Sequence, residues 1–171
     1  SASREQLSQS GHCYLHYGDI HTSAKNYIEL DKERTSIPKL DVPIGKVNQS
    51  ALLEDGDVVF VDASEDDEGT SKHLVISNPA REPFISGLHT IGAKAKTAEL
   101  DKKYLRFCFQ TKPVKNQFRF YAVGTKVSGI SKGNVVKIAL SYPSLPEQSA
   151  IAAVLFEMES ELEILEAKLT K

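Results

Sequence analysis

Apolar and polar positions recur along this chain at two periods, and the clearer pattern lies at its end. From Tyr142 to Lys171 the polar start Pro143, Leu145, Pro146, Glu147, Gln148 gives way to a segment without Gly or Pro. Within it Ile151, Leu155, Met158, Leu162, Leu165 and Leu169 follow one another at steps of four and three, the spacing of a heptad seam. Pro146 suits a first helical turn, where its missing N–H would be unpaired anyway, and glutamates crowd the remaining faces. A helix of about 26 residues, roughly 39 Å long, is expected. Covering the six apolar side chains stabilises by roughly 1.5 to 3 kcal/mol each, whereas the helix alone is marginal in water. Either a partner helix or the rest of the chain must supply that cover, and the pattern leaves both open.

Upstream the period is shorter. Cys13 to Tyr17 and Asp19 to Ile20 read as a strand interrupted near Gly18, and the polar stretch Thr22 to Gln49, with Pro38, Pro43 and Gly45, reads as loop with short elements. Leu53 precedes a turn at Glu54 to Asp57, and the unbroken run Val58 to Val61 suits a strand buried on both faces. That strand delivers Asp62, Ser64 and the acidic loop Glu65 to Glu68 to one edge. A strand is expected at His73 to Ser77, a turn at Asn78 to Pro83, and a stretch of small residues follows at Ser86, Gly87, Gly92 and Ala93. Its glycines permit close approach of another backbone, from a strand or from nucleic acid. Leu100 to Gln110 and Val114 to Val123 read as helices, and Val135 to Leu140 as a last strand. The fold class is α+β: a mixed β-sheet domain with short helices over residues 1–141, then a long C-terminal coiled-coil helix over residues 142–171.

At 171 residues the chain accommodates one domain and this appendage. Cys13 and Cys108 have neither the number nor the spacing of a disulfide framework or a zinc site, so reduced thiols in a cytoplasmic protein are expected. No stretch resembles a signal peptide or membrane span. The lack of an initiator Met suggests a fragment or a processed chain.

A net charge of −2 speaks against nucleic acid until the charges are placed. Residues 1–93 carry 8 Lys and Arg against 15 Asp and Glu, residues 94–137 carry 11 against 2, and residues 147–171 carry 2 against 6. The middle segment therefore stands at +9 inside an acidic chain. Such segregation is the footprint of a phosphate-facing surface or of a solvated basic face balanced by the acidic parts. Lys94, Lys96, Lys115 and Arg119 are candidate phosphate clamps. Lys126, Ser128, Ser131 and Lys132 lie in GTKVSGISKGN, where unhindered N–H groups, small hydroxyls and cations suit phosphate or base-edge contact. Asp62, Ser64 and His89 are candidate base contacts.

Two metal readings are weaker. His12, His16 and His21 lack helical HExxH spacing, and on a strand His21 faces away from the other two. A magnesium nuclease built on Asp62 and the acids after it would need a Lys and further carboxylates converging from neighbouring strands. No Gly-rich methyl-donor turn is present, and no cofactor is expected.

Four segments, LEDGDVVFVDASEDDEG (53–69), PFISGLHTIGAKAK (83–96), GTKVSGISKGNV (124–135) and PSLPEQSAIAAVL (143–155), together resemble the specificity subunit of type I restriction-modification systems. The likeness covers one target recognition domain followed by one helical spacer. It implies a protein without a catalytic centre that reads half of a bipartite sequence in double-stranded DNA. Separate modification (methyltransferase) and restriction subunits would then methylate adenine or cleave. It further implies a second specificity half, joined through an antiparallel coiled coil whose seam is Ile151, Leu155, Met158, Leu162, Leu165 and Leu169. Only one domain and one spacer are present, and the usual domain opening is expected to be missing. The rival readings are the recognition part of a single-chain restriction-methyltransferase, a dimerising protein-binding adaptor, and the nuclease.

Overall fold

In the computed structural model, which describes residues 2–64, 69–124 and 127–169, the run Val58–Val61 forms a strand buried along its whole length. The elements before it are β1 (His12–Leu15), α1 (Tyr17–Thr22), β2 (Tyr27–Glu29), α2 (Leu30–Glu33) and β3 (Lys39–Leu40), which makes Val58–Val61 β4. After it come β5 (Ala63–Ser64), β6 (His73–Ser77), β7 (Phe84–Ser86), β8 (Thr90–Ala93), α3 (Lys102–Cys108), α4 (Lys112–Tyr121), β9 (Ser128–Gly129), α5 (Lys132–Val135) and α6 (Leu145–Leu169).

Both sheets larger than a ribbon are mixed. One runs β2-β6-β4-β8, parallel between β2 and β6 and antiparallel elsewhere; the other runs β3-β1-β7, with β1 and β7 parallel. Successive side chains on a strand point to opposite faces, so the apolar run of β4 serves two cores. Val59 and Val61 join Leu74, Ile76, Leu15 and Phe84 between the two sheets. Val58 and Phe60 join Val75, Ile91 and the buried faces of α3 and α4 on the other side. The result is three layers, sheet on sheet on helices.

One expected strand forms only in its first part, as β1, and another is not formed. Tyr17 to Ile20 is helical because His16 and Asp19 cap it reciprocally: His16 Nδ1 accepts from the Gly18 N–H at 3.2 Å, and the His16 N–H donates to Asp19 Oδ2 at 3.1 Å. Burial holds the His16 imidazole below its ordinary pKa, in the neutral form that can accept. The stretch Val135 to Leu140 ends the short helix α5 and then runs irregularly. Gln117 takes the place of a strand partner there, donating to the Ala139 carbonyl at 3.0 Å and accepting from its N–H at 2.8 Å. Ile138 and Leu140 still pack on the helical core, which accounts for their apolar character.

The long helix starts at Leu145, with Pro146 in its first turn. Ser144 holds Glu147 through its N–H at 3.0 Å and its hydroxyl at 2.6 Å. Gln148 is fully buried; its Oε1 accepts from the Asp101 N–H at 2.8 Å, and its Nε2 donates to the carbonyls of Glu99 and Pro143 at 2.9 and 2.8 Å. Buried Ala152 and half-buried Phe156 continue that face onto α3. The heptad seam occupies another face: Ile151, Met158, Leu162, Leu165 and Leu169 are 41 to 86% exposed, and Leu155 is half-buried. The helix thus docks on its own body without using up its apolar stripe.

Candidate nucleic-acid interface

Asp62 follows the last residue of β4, and several chain segments meet at it. Its N–H donates to the His89 carbonyl at 3.1 Å, while its own carbonyl accepts from the Ile130 N–H at 2.8 Å. Its carboxylate lies 3.1 Å from His89 Nδ1. His89 adopts a left-handed backbone (φ 56°), uncommon for a residue with a Cβ, and sets its ring edge-on to Tyr17 at 5.4 Å.

The chain after α4 returns to the same edge. β9 pairs with β5, which sets Ser128 opposite Ser64 and Gly129 opposite Ala63. Ser131 then caps α5 by accepting from the Asn134 N–H at 3.2 Å. Ser131 and Lys132 line a depression of about 350 Å³ together with Asp62, Ser50, Ser86 and Thr90. The chemistry converging there is one carboxylate, one ammonium and four hydroxyls. Three of those hydroxyls, on Ser50, Ser86 and Thr90, escaped sequence reasoning. Ser86 and Thr90 bond to each other at 2.7 Å across the turn that carries His89, so hydroxyls flanking an exposed histidine were the available signal.

The two glycines of this region serve different purposes. A Cβ on Gly87 would come within 2.5 Å of the Leu15 carbonyl oxygen, so the backbone it must approach is that of β1. Gly92 meets nothing closer than 3.5 Å and helps to line the depression.

The basic segment divides. Lys94 is turned inward: its Nζ lies 2.7 Å from Oδ2 of buried Asp57 and also bonds the Leu52 carbonyl. Asp57 in addition accepts from the N–H groups of Glu54 at 2.7 Å and Ala95 at 3.1 Å, so the acidic turn and Lys94 form one structural node. Lys94 is thereby engaged within the fold by two acceptors of its own. Lys102 pairs with Asp55, and Arg106 with Glu159 at 3.2 Å. Lys96 is exposed beside Leu100. Lys115 lines a different cleft, of about 520 Å³, between α6 and the body, where Lys25 and Lys72 face Glu159, Glu163 and Glu166. Arg119 is exposed one turn farther along α4. Lys126 and the acids Glu65 to Glu68 lie outside the described residues.

Among the described residues no group of three His, Cys, Asp or Glu could hold a metal ion. His16 caps α1, and His21 Nε2 lies 3.2 Å from the Ala63 carbonyl oxygen. Both cysteines are free and buried; burial raises both thiols, Cys108 to about 12. Among the described residues no helix is long and apolar enough to cross a membrane.

Mixed sheets, short flanking helices and one projecting C-terminal helix define a class found in the specificity subunits of restriction-modification systems. Over residues 48–171 the chain matches the type I restriction modification DNA specificity domain, and it belongs to that family. It superposes on the S subunit of a type I restriction-modification system from M. genitalium with a TM-score of 0.54 at 15% identity, covering 98% of this chain and 37% of that one. The HsdS subunit from Thermoanaerobacter tengcongensis gives 0.54 at 18%, covering 84% and 38%. A chain from a study of complex assembly and conformational transition in the type I R-M system gives 0.57 at 12%, covering 98% and 36%. The present chain therefore spans somewhat over a third of the length of these solved chains. No curated protein gives a significant match.

Proposed function

We propose that the chain reads half of a bipartite sequence in double-stranded DNA, as a non-catalytic specificity subunit or half-subunit that directs methylation and restriction by partner subunits in the cytoplasm. Residues 1–141 are the reading domain and residues 142–171 the spacer. The observation that carries the proposal is the convergence of Asp62, Ser131 and Lys132 on one hydroxyl-rich depression, with exposed His89 beside Asp62. A carboxylate accepts from cytosine N4, hydroxyls serve as donor or acceptor, and an ammonium contacts guanine or a phosphate. Ser128 flanks that edge on the ribbon β5-β9, while Ser64 opposite it is buried. Lys96, Lys115, Arg119 and Lys126 are the proposed phosphate contacts.

The exposed seam from Ile151 to Leu169 pairs with the same helix of a second specificity half, antiparallel. The 25 residues of α6 span about 38 Å, close to the 34–36 Å rise of one DNA turn, so two reading domains sit about one turn apart. Fluorescence anisotropy with duplexes selected from a random pool, at several salt concentrations, tests the reading. Selection of one sequence with a steep salt slope supports it; indifference to every duplex overturns it.

A further inference from the structure

The guanidinium of Arg106 is held between two aromatic rings that belong to different parts of the molecule. Its Cζ lies 3.2 Å from the ring centre of Tyr27 on β2 and 4.0 Å from that of Phe156 on α6. Its Nη2 donates to Glu159 Oε2 at 3.2 Å, one turn farther along α6, and the side chain is only 12% exposed. Phe107, next on α3, meets Phe156 edge-on at 5.4 Å. Sheet, recognition-domain helix and arm thus close on one planar cation.

Among the described residues the Nε of Arg106 is buried without a hydrogen-bond partner, and a buried ion pair is often matched in stability by an apolar side chain of similar volume. What an apolar residue lacks is a flat, two-faced, directional contact. Along α6 the body holds Gln148 at the root, buried Ala152 one turn on, and outermost Phe156 with Glu159, about 12 to 16 Å from Gln148. Gln148 fixes where the rod starts; the outermost contact has the longest lever on its direction. From Gln148 to Leu169 the rod extends about 31 Å, so a swing of about 10° displaces its tip by about 5 Å. That exceeds the 3.4 Å that separates successive base pairs.

We propose that Arg106 is a positioning residue that sets the angle of the α6 arm on the reading domain, and thereby makes a paired assembly selective for one spacing between its two half-sites. The second part rests on the DNA-reading function proposed above; the first does not.

Spin labels at Lys46→Cys on the body and Lys168→Cys on the arm, in the whole 171-residue chain diluted with unlabelled chains, report the angle directly. The native cysteines are buried and do not compete. The parent protein should give one narrow distance distribution, which Arg106→Met and Arg106→Lys should each broaden at least twofold. On duplexes carrying two copies of the selected half-site at spacings varied by single base pairs, the parent should prefer one spacing by tenfold or more. Arg106→Met should reduce that preference below threefold while a single half-site is bound within twofold of the parent. An unchanged distance distribution in Arg106→Met overturns the proposal, whatever the DNA result. A broadened distribution with intact spacing preference restricts Arg106 to the arm angle and overturns its role in spacing. If no duplex is bound, the reading function has failed and the distances still decide the arm. Should Arg106→Met not fold, Phe156→Leu removes one face of the sandwich from the arm side, and the same readouts apply.

Discussion

Asp62 and His89 hold each other twice, through an N–H to carbonyl bond of 3.1 Å and through a carboxylate to imidazole contact of 3.1 Å. The end of a buried strand and the tip of an exposed turn are thereby locked together, with the carboxylate at the depression and the imidazole against it and Tyr17. Asp62→Asn should raise affinity for random duplex, because a negative charge near phosphates is lost. It should lower affinity for the selected duplex, where one base contact is worth about 1–3 kcal/mol. The expected fall in the ratio is about tenfold or more, read by competition anisotropy; an unchanged ratio removes Asp62 from the reading surface.

Lys94 and Lys132 should behave oppositely although both are lysines of the basic segment. Lys94→Ala leaves the buried Asp57 carboxylate with only its backbone donors, a loss of about 3 kcal/mol in urea unfolding, with the salt slope of DNA binding unaltered. Lys132 is exposed, so Lys132→Ala should change stability by less than about 0.5 kcal/mol and reduce the salt slope by about 0.9.

His73 provides a test in pH. Burial holds its pKa below 6.5; its Nδ1 lies 3.1 Å from the Ser71 carbonyl oxygen, and its ring packs between Phe60 and Phe109. The unfolded chain takes up this proton as pH falls through about 6.5, whereas the folded chain resists it. Stability from His73 is therefore present above that pH and is lost below it, at up to ~1.4 kcal/mol per pH unit. His73→Phe should reduce the fall of the urea midpoint between pH 6.5 and 5, leaving the share due to His16, whose pKa burial also lowers. A parallel decline in both proteins would show that the imidazole is not responsible.

Leu162 and Leu165 lie on the exposed seam, 57 and 55% accessible. Replacing both with Asp should leave the fold of the body intact by circular dichroism while converting a paired species into a monomer by light scattering. Gln148→Ala acts on the other face of the same helix and should instead destabilise the body by about 3 kcal/mol, since it strands the Asp101 N–H and two carbonyls in a buried site. Unchanged association of the doubly charged variant would show that the seam is not the interface.

Local pattern was sufficient wherever the chemistry was local. The run Val58–Val61, the strand His73–Ser77, the helices of the basic segment and the heptad spacing of α6 are all legible because burial imposes the period of the element itself. The α+β class follows from their order, and the resemblance to the family rests on the four segments 53–69, 83–96, 124–135 and 143–155. Where a side chain stands in for backbone, the pattern misleads: His16 with Asp19 turns a strand-like stretch into α1, and Gln117 leaves Val135 to Leu140 looking like a strand while supplying the bonds a strand would need. Tertiary structure alone decided which cations face outward. Lys94 and Lys132 are alike in sequence, but only folding brings Asp57 beneath one and the hydroxyls of Ser86 and Thr90 beside the other. It likewise decided that α6 rests on its Gln148–Ala152–Phe156 face, because a helix has more than one face to bury and only the shape of α3 and the sheet selects between them.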